Sequence, residues 1–76
     1  MADGEVSLHL TRAQALVFFE WLARLDSSDS LPCEDVAEQK VLWSLQGQLE
    51  STLVEPFAAD YTTILAEARR RVRESE

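Results

Sequence analysis

Few side chains in this sequence could carry chemistry. His9 is the only histidine, and a catalytic triad or a zinc site needs three or four convergent groups around it. It sits between Leu8 and Leu10 on the polar side of an alternating run, where a solvated imidazole is the expected state. Cys33 is the only cysteine and follows Pro32 in an acidic stretch. Neighbouring carboxylates disfavour a thiolate, so it is a poor nucleophile. Asp26, Asp29, Glu34, Asp35 and Glu38 gather carboxylate oxygens of the kind calcium takes. Their spacing lacks the Asp-x-Asp-x-Asp-Gly pattern and its turn glycine. Helix capping and the helix dipole account for Asp35 and Glu38 without a metal. Arg69, Arg70, Arg71 and Arg73 hold four of the seven basic charges. Cations at a helix C-terminus complement its dipole, and that reading is preferred to a phosphate contact. The sequence therefore predicts a non-enzymatic chain with no catalytic residue, no cofactor and no metal.

The chain has 76 residues, of which 46% are hydrophobic. That is one small domain over 1–76, too apolar for intrinsic disorder and too short for two cores. Fourteen acidic residues against seven basic ones give a net charge of −7. An acidic surface disfavours nucleic acid and membrane surfaces as partners. One cysteine makes no internal disulfide. The start, Met-Ala-Asp-Gly-Glu, is unlike a secretory signal, and no apolar run reaches the length of a bilayer span. A cytoplasmic protein is the expectation.

The elements follow from punctuation and periodicity. Residues 1–5 lack apolar anchors and are expected to fray. Val6, Leu8 and Leu10 alternate with Ser7 and His9, the period-two pattern of a short strand or extended arm over 6–10. Thr11-Arg12-Ala13-Gln14 has the form of a capping box, opening a helix over 12–26, with Leu10 placed to staple against Ala15. Asp26 to Asp35 is a loop by its Ser, Asp and Pro content. Asp35, with Glu38 three residues on, caps a second helix over 36–54, which Pro56 stops. Asp60 is placed to cap a third helix over 61–73, and Phe57 between them is expected to plug the core. The predicted fold is an all-α, three-helix small domain with an extended N-terminal arm.

The third helix has one clean apolar stripe, Tyr61, Ile64, Leu65, Ala68 and Val72, with Glu67, Arg70 and Arg71 placed for pairs at spacings three and four. The second presents Val41, Leu42, Leu45, Leu49, Thr52 and Leu53 on its expected core face. Val36, Trp43, Gly47 and Val54 fall nearly opposite. The first buries Ala15, Leu16, Phe18, Phe19, Leu22, Ala23 and Leu25, and leaves Val17 and Trp21 on the other half. Two tryptophans therefore lie off the main stripes of their own helices. A domain this small has little interior for a second face, and burying a large aromatic ring contributes roughly 1.5–3 kcal/mol. Val17, Trp21, Val36, Trp43, Gly47 and Val54 are the candidate interface. Gly47 costs up to ~1 kcal/mol in a helix and would let another backbone or ring approach Trp43.

Several stretches occur together: Leu10-Thr11-Arg12, Ala15-Leu16-Val17, Phe19-Glu20-Trp21-Leu22, Ala37 to Trp43, Leu53-Val54-Glu55-Pro56-Phe57 and Asp60-Tyr61. In these the chain resembles a group of short bacterial helical proteins with no established activity. The resemblance covers most of residues 8–72, implies a bacterial origin and carries over no functional residue. The residues themselves predict a protein-interaction module, pairing with itself as a homodimer or with another protein. An antitoxin or immunity-type protein that neutralises a basic partner is the alternative, suited to the −7 charge. A nucleic-acid regulator with the 6–10 strand paired across a dimer ranks third, because Ser7 and His9 bring no fixed positive charge.

Overall fold

The computed structural model describes residues 4–27 and 34–75. Helix α1 spans Arg12–Asp26, α2 Val36–Thr52 and α3 Tyr61–Glu74, with a 3-10 turn at Glu55–Phe57 before α3. This is an all-α, three-helix domain, and no strand occurs among the described residues. Residues 4–10 carry no regular structure and are exposed, so the arm is the form taken in place of the short strand. Pro32, Cys33 and Asp29 lie outside the described residues, as do residues 1–3 of the segment expected to fray.

The capping box at α1 is complete. Thr11 Oγ1 accepts from the Gln14 amide at 3.1 Å, and Gln14 Oε1 accepts from the Thr11 amide at 2.8 Å. Two donors that a helix start leaves without partners are thus satisfied. Thr11→Ala is expected to cost about 1 kcal/mol. Thermal unfolding followed by circular dichroism should show a fall of about 4–8 °C in Tm for a domain of this size. At α2, Asp35 Oδ1 accepts from the Ala37 amide at 2.8 Å. Glu38 reaches one residue further back than a standard box, accepting from the Glu34 amide at 2.9 Å.

Asp60 precedes α3 as expected, but its side chain makes no capping bond. Its φ of −103° and ψ of 31° lie outside the extended region that aims a cap side chain at the helix amides. The Ala58 carbonyl takes the Tyr61 amide instead, at 3.2 Å.

Helix α2 ends at Thr52, two residues before the expected boundary. Ser51 Oγ donates to the Gly47 carbonyl at 2.6 Å and Thr52 Oγ1 to the Gln48 carbonyl at 2.9 Å. Such back-bonds weaken a helix locally, and the following Leu53 turns out into extended backbone at φ −90°, ψ 136°. Leu53 is thereby driven inward and is the most deeply buried core residue, at 3% exposure. It is the plug. Phe57, expected in that role, is 75% exposed, because Leu53 has filled the interior and the 3-10 turn carries the ring outward.

Leu53 clusters with Leu16 of α1 and Ala68 of α3, and Ala13, Phe19, Leu49, Tyr61 and Ile64 pack around them. Leu22, Leu42 and Leu65 complete the buried set among the described residues. Helix α1 is the common neighbour: α2 and α3 each lie along it and scarcely meet one another. That arrangement explains why Val41 is 58% exposed and Thr52 exposed, although both sit on the face of α2 expected to be core. One neighbour covers a narrower strip than two. Leu10, expected to staple onto Ala15, is 46% exposed. The stripe of α3 follows expectation, with Leu65 and Ala68 buried and Tyr61, Ile64 and Val72 half-buried.

The open arrangement leaves much surface in water. The accessible area is 5845 Å², against about 4,700 Å² for a compact monomer of this mass. The radius of gyration, 14.0 Å, likewise exceeds the ~11 Å of a compact chain of this length.

Candidate protein-interaction surface

Trp21 and Trp43 are 50% and 51% exposed. Among the described residues, neither ring is fully covered. On α2, Val36, Trp43 and Gly47 recur at spacings of seven and four, so they share one stripe, and Val36 is 65% exposed. Val54, 69% exposed, lies just beyond the helix end. Trp43 is held rather than loose, because its indole Nε1 donates to Asp26 Oδ1 at 2.8 Å, tying α2 to the last residue of α1. With the polar edge satisfied, the ring's apolar faces remain the unsatisfied part. Trp21 stands on α1 with its ring centroid 6.2 Å from that of Phe18, the planes inclined at 34°. The two indoles are thus braced by different neighbours, one by a carboxylate and one by an aromatic ring.

Gly47 has nothing within 4 Å of where a Cβ would stand. The chain's own packing therefore places no demand for glycine there, although glycine weakens a helix interior. Val17 differs from the other five candidates: it is half-buried and packs against the Leu16, Leu53 and Ala68 cluster. Phe57 and Val41 add exposed apolar surface that the sequence pattern had assigned to the interior.

Several other polar groups are engaged in structural contacts. Arg12 forms a two-pronged ion pair with Glu55, 43 residues away, with Arg12 Nη2 to Glu55 Oε1 at 2.9 Å. The arginine's hydrogen bond holds the Glu55 carboxyl below the usual glutamate range. Arg70 binds both Glu67 and Glu74, and Arg71 binds Glu67 at 3.1 Å. Hydrogen bonds from Arg70 and then Arg71 bring the exposed Glu67 carboxyl down to about 2. Two members of the basic cluster are thus paired along their own helix. Asp26, Asp35 and Glu38 of the acidic group are spent on Trp43 and on capping, and no metal-sized group of three ligands occurs among the described residues. His9 is exposed. No helix of the described residues is long and apolar enough to cross a membrane.

Tyr61 Oη donates to Glu20 Oε1 at 3.1 Å. Burial first, and the carboxylate second, push the phenol from its ordinary 10.0 up to about 12. A raised pKa in the folded state means that this group's contribution to stability is full below pH 10 and is lost as the pH rises through 12. The chain has one tyrosine, so absorbance at the phenolate band reads it alone. The midpoint is expected near 12 in the folded protein, and lower, though still above 10.0, in Glu20→Gln, because burial remains. A midpoint at the ordinary value in the folded parent would contradict the contact.

The pairs Arg12–Glu55, Glu20–Tyr61 and Asp26–Trp43 left no mark in the sequence pattern. Each joins residues distant in the chain, and only the packing of α1 against its neighbours brings them together. Fold and surface together define a small three-helix domain with braced, half-exposed aromatic side chains. No protein-family model, curated protein or solved structure matches the chain.

Proposed function

We propose that the chain is a non-enzymatic protein-interaction module that docks through Trp21 and Trp43, with Val36 and Gly47 on the stripe of the second ring and Val54 beyond the end of α2. The observation that carries this reading is the half exposure of two indoles that are each held in place. Tryptophan is enriched where proteins meet, and a ring fixed before contact loses little freedom on binding. The unfilled space at Gly47 supports the same surface. A cytoplasmic, bacterial setting and a second copy or another protein as partner belong to this proposal.

Collisional quenching of tryptophan emission by acrylamide tests it. The free chain should be readily quenched, and adding a protein partner should protect the emission while association is followed by light scattering. Binding of that partner with no protection of either indole would remove the reading. A basic partner, as in an antitoxin or immunity-type role, is the second reading, favoured by the −7 charge with Arg12, Arg70 and Arg71 already paired internally. It predicts affinity that falls steeply with salt; salt-insensitive binding would exclude it.

A further inference from the structure

We propose that residues 5–10 pair antiparallel with the same segment of a second copy, making a two-stranded ribbon whose apolar side seats on the groove between α1 and α3. This concerns a surface other than the indoles and leaves them free. Val6, Leu8 and Leu10 alternate along the arm and are 87%, 76% and 46% exposed. Among the described residues, no backbone hydrogen bond reaches residues 5–10. A segment with an alternating apolar pattern and an unpaired backbone is a template for another strand. Its direction is already set, because the capping box holds Thr11 extended, at φ −66° and ψ 162°. The arm therefore leaves α1 in the backbone region a strand uses.

The register follows from the alternation. Placing Leu8 opposite its own copy puts Val6 against Leu10 of the other strand, so every apolar residue meets an apolar residue. Ser7 then faces His9 on the opposite, wet side. Sliding the pairing by two residues sets Leu10 against Gly4 in one direction and Val6 against the helical Arg12 in the other.

A two-stranded ribbon alone is marginal in water, and a seat is available. An open groove of about 420 Å³ runs between α1 and α3, floored by Ala13, Leu16, Ile64 and Ala68. It continues past Thr11 to Val72 and Ser75, reaching the root of the arm. From Ile64 to Ser75 the helix covers about 17 Å, and six extended residues span about 20 Å.

Analytical ultracentrifugation and disulfide trapping on the full chain test the ribbon. Leu8→Asp, a change at an exposed site, should convert a dimeric parent to monomer without loss of helical signal, since it sets two carboxylates face to face. In a Cys33→Ser background, Leu8→Cys should form a cross-linked dimer under mild oxidation. Val6→Cys should not, because its copy lies four residues out of register, beyond the ~7 Å reach of a disulfide. A parent that is monomeric at every concentration overturns the ribbon. So does a Leu8→Asp dimer as tight as the parent, or a Val6→Cys cross-link as fast as that of Leu8→Cys. A dimer lost in Trp43→Ala and kept in Leu8→Asp would place self-association on the indoles instead.

Discussion

Leu53→Ala is expected to lower stability by about 3 kcal/mol, within the 2–5 kcal/mol typical of such truncations at well-packed sites. The residue is 3% exposed and shares a cluster with Leu16 and Ala68, so its side chain is the point where the end of α2 meets both other helices. Little else can compensate. Helices α2 and α3 scarcely touch, and among the described residues six make up the buried hydrophobic set. A chain of this length has a total stability of roughly 4–11 kcal/mol. The loss is therefore a large fraction of the whole, and Tm should fall by more than about 10 °C. Val41→Ala is the control. It removes an apolar side chain from the same helix at a site 58% exposed, and its effect should stay near 0.5 kcal/mol. Urea unfolding of the two variants decides the matter; equal midpoints would mean that Leu53 is not the junction of the fold.

The contrast between those two residues shows what the sequence made legible. Helix starts are local events: the Thr11 box and the Asp35 cap involve atoms within three residues, and both form. The end of α2 is different. Pro56 is a visible stop, but the helix has already yielded at Thr52, where hydroxyl back-bonds and the inward pull on Leu53 act together. Competition between Leu53 and Phe57 for one interior site depends on where the chain turns, which periodicity does not encode. The same holds for Val41. A stripe shows which way a helix prefers to face, whereas the width that is covered depends on how many neighbours arrive, and α2 has essentially one.

At the candidate surface the angular reasoning reached further, because it needed only geometry internal to each helix. Trp43 follows the buried Leu42 by one residue, about 100° round the helix, and so is turned from the core whatever packs there. What holds it was out of reach. Asp26 reads as one carboxylate in an acidic loop, and only the approach of α2 to the end of α1 turns it into the acceptor for the indole N–H. Val17 erred in the other direction, since the openness of the helices lets core contacts extend around α1 to include it.

Trp43→Ala is expected to weaken docking to a partner protein about thirtyfold or more, the effect of losing at least ~2 kcal/mol at an interface anchor. The free chain should lose much less, because half of the ring is already in water and its hydrogen bond is exposed. That difference separates an interface residue from a core residue, and two neighbouring variants sharpen it. Asp26→Ala keeps the ring but frees it, adding the ~0.5–1.5 kcal/mol cost of fixing a side chain on binding; its affinity should fall between parent and Trp43→Ala. Gly47→Ala should raise the stability of the free chain by about 0.5–1 kcal/mol, as it supplies a Cβ to a helix. Nothing stands within 4 Å of that Cβ. Gly47→Leu should add bulk where a partner needs room and reduce affinity while the helices persist. Paired circular dichroism and binding titrations read both quantities on each variant. If Trp43→Ala and Gly47→Leu bind as the parent does, this stripe of α2 is ordinary solvent-facing surface; if helicity and binding fall in proportion, the ring is a fold element, and docking through it is wrong.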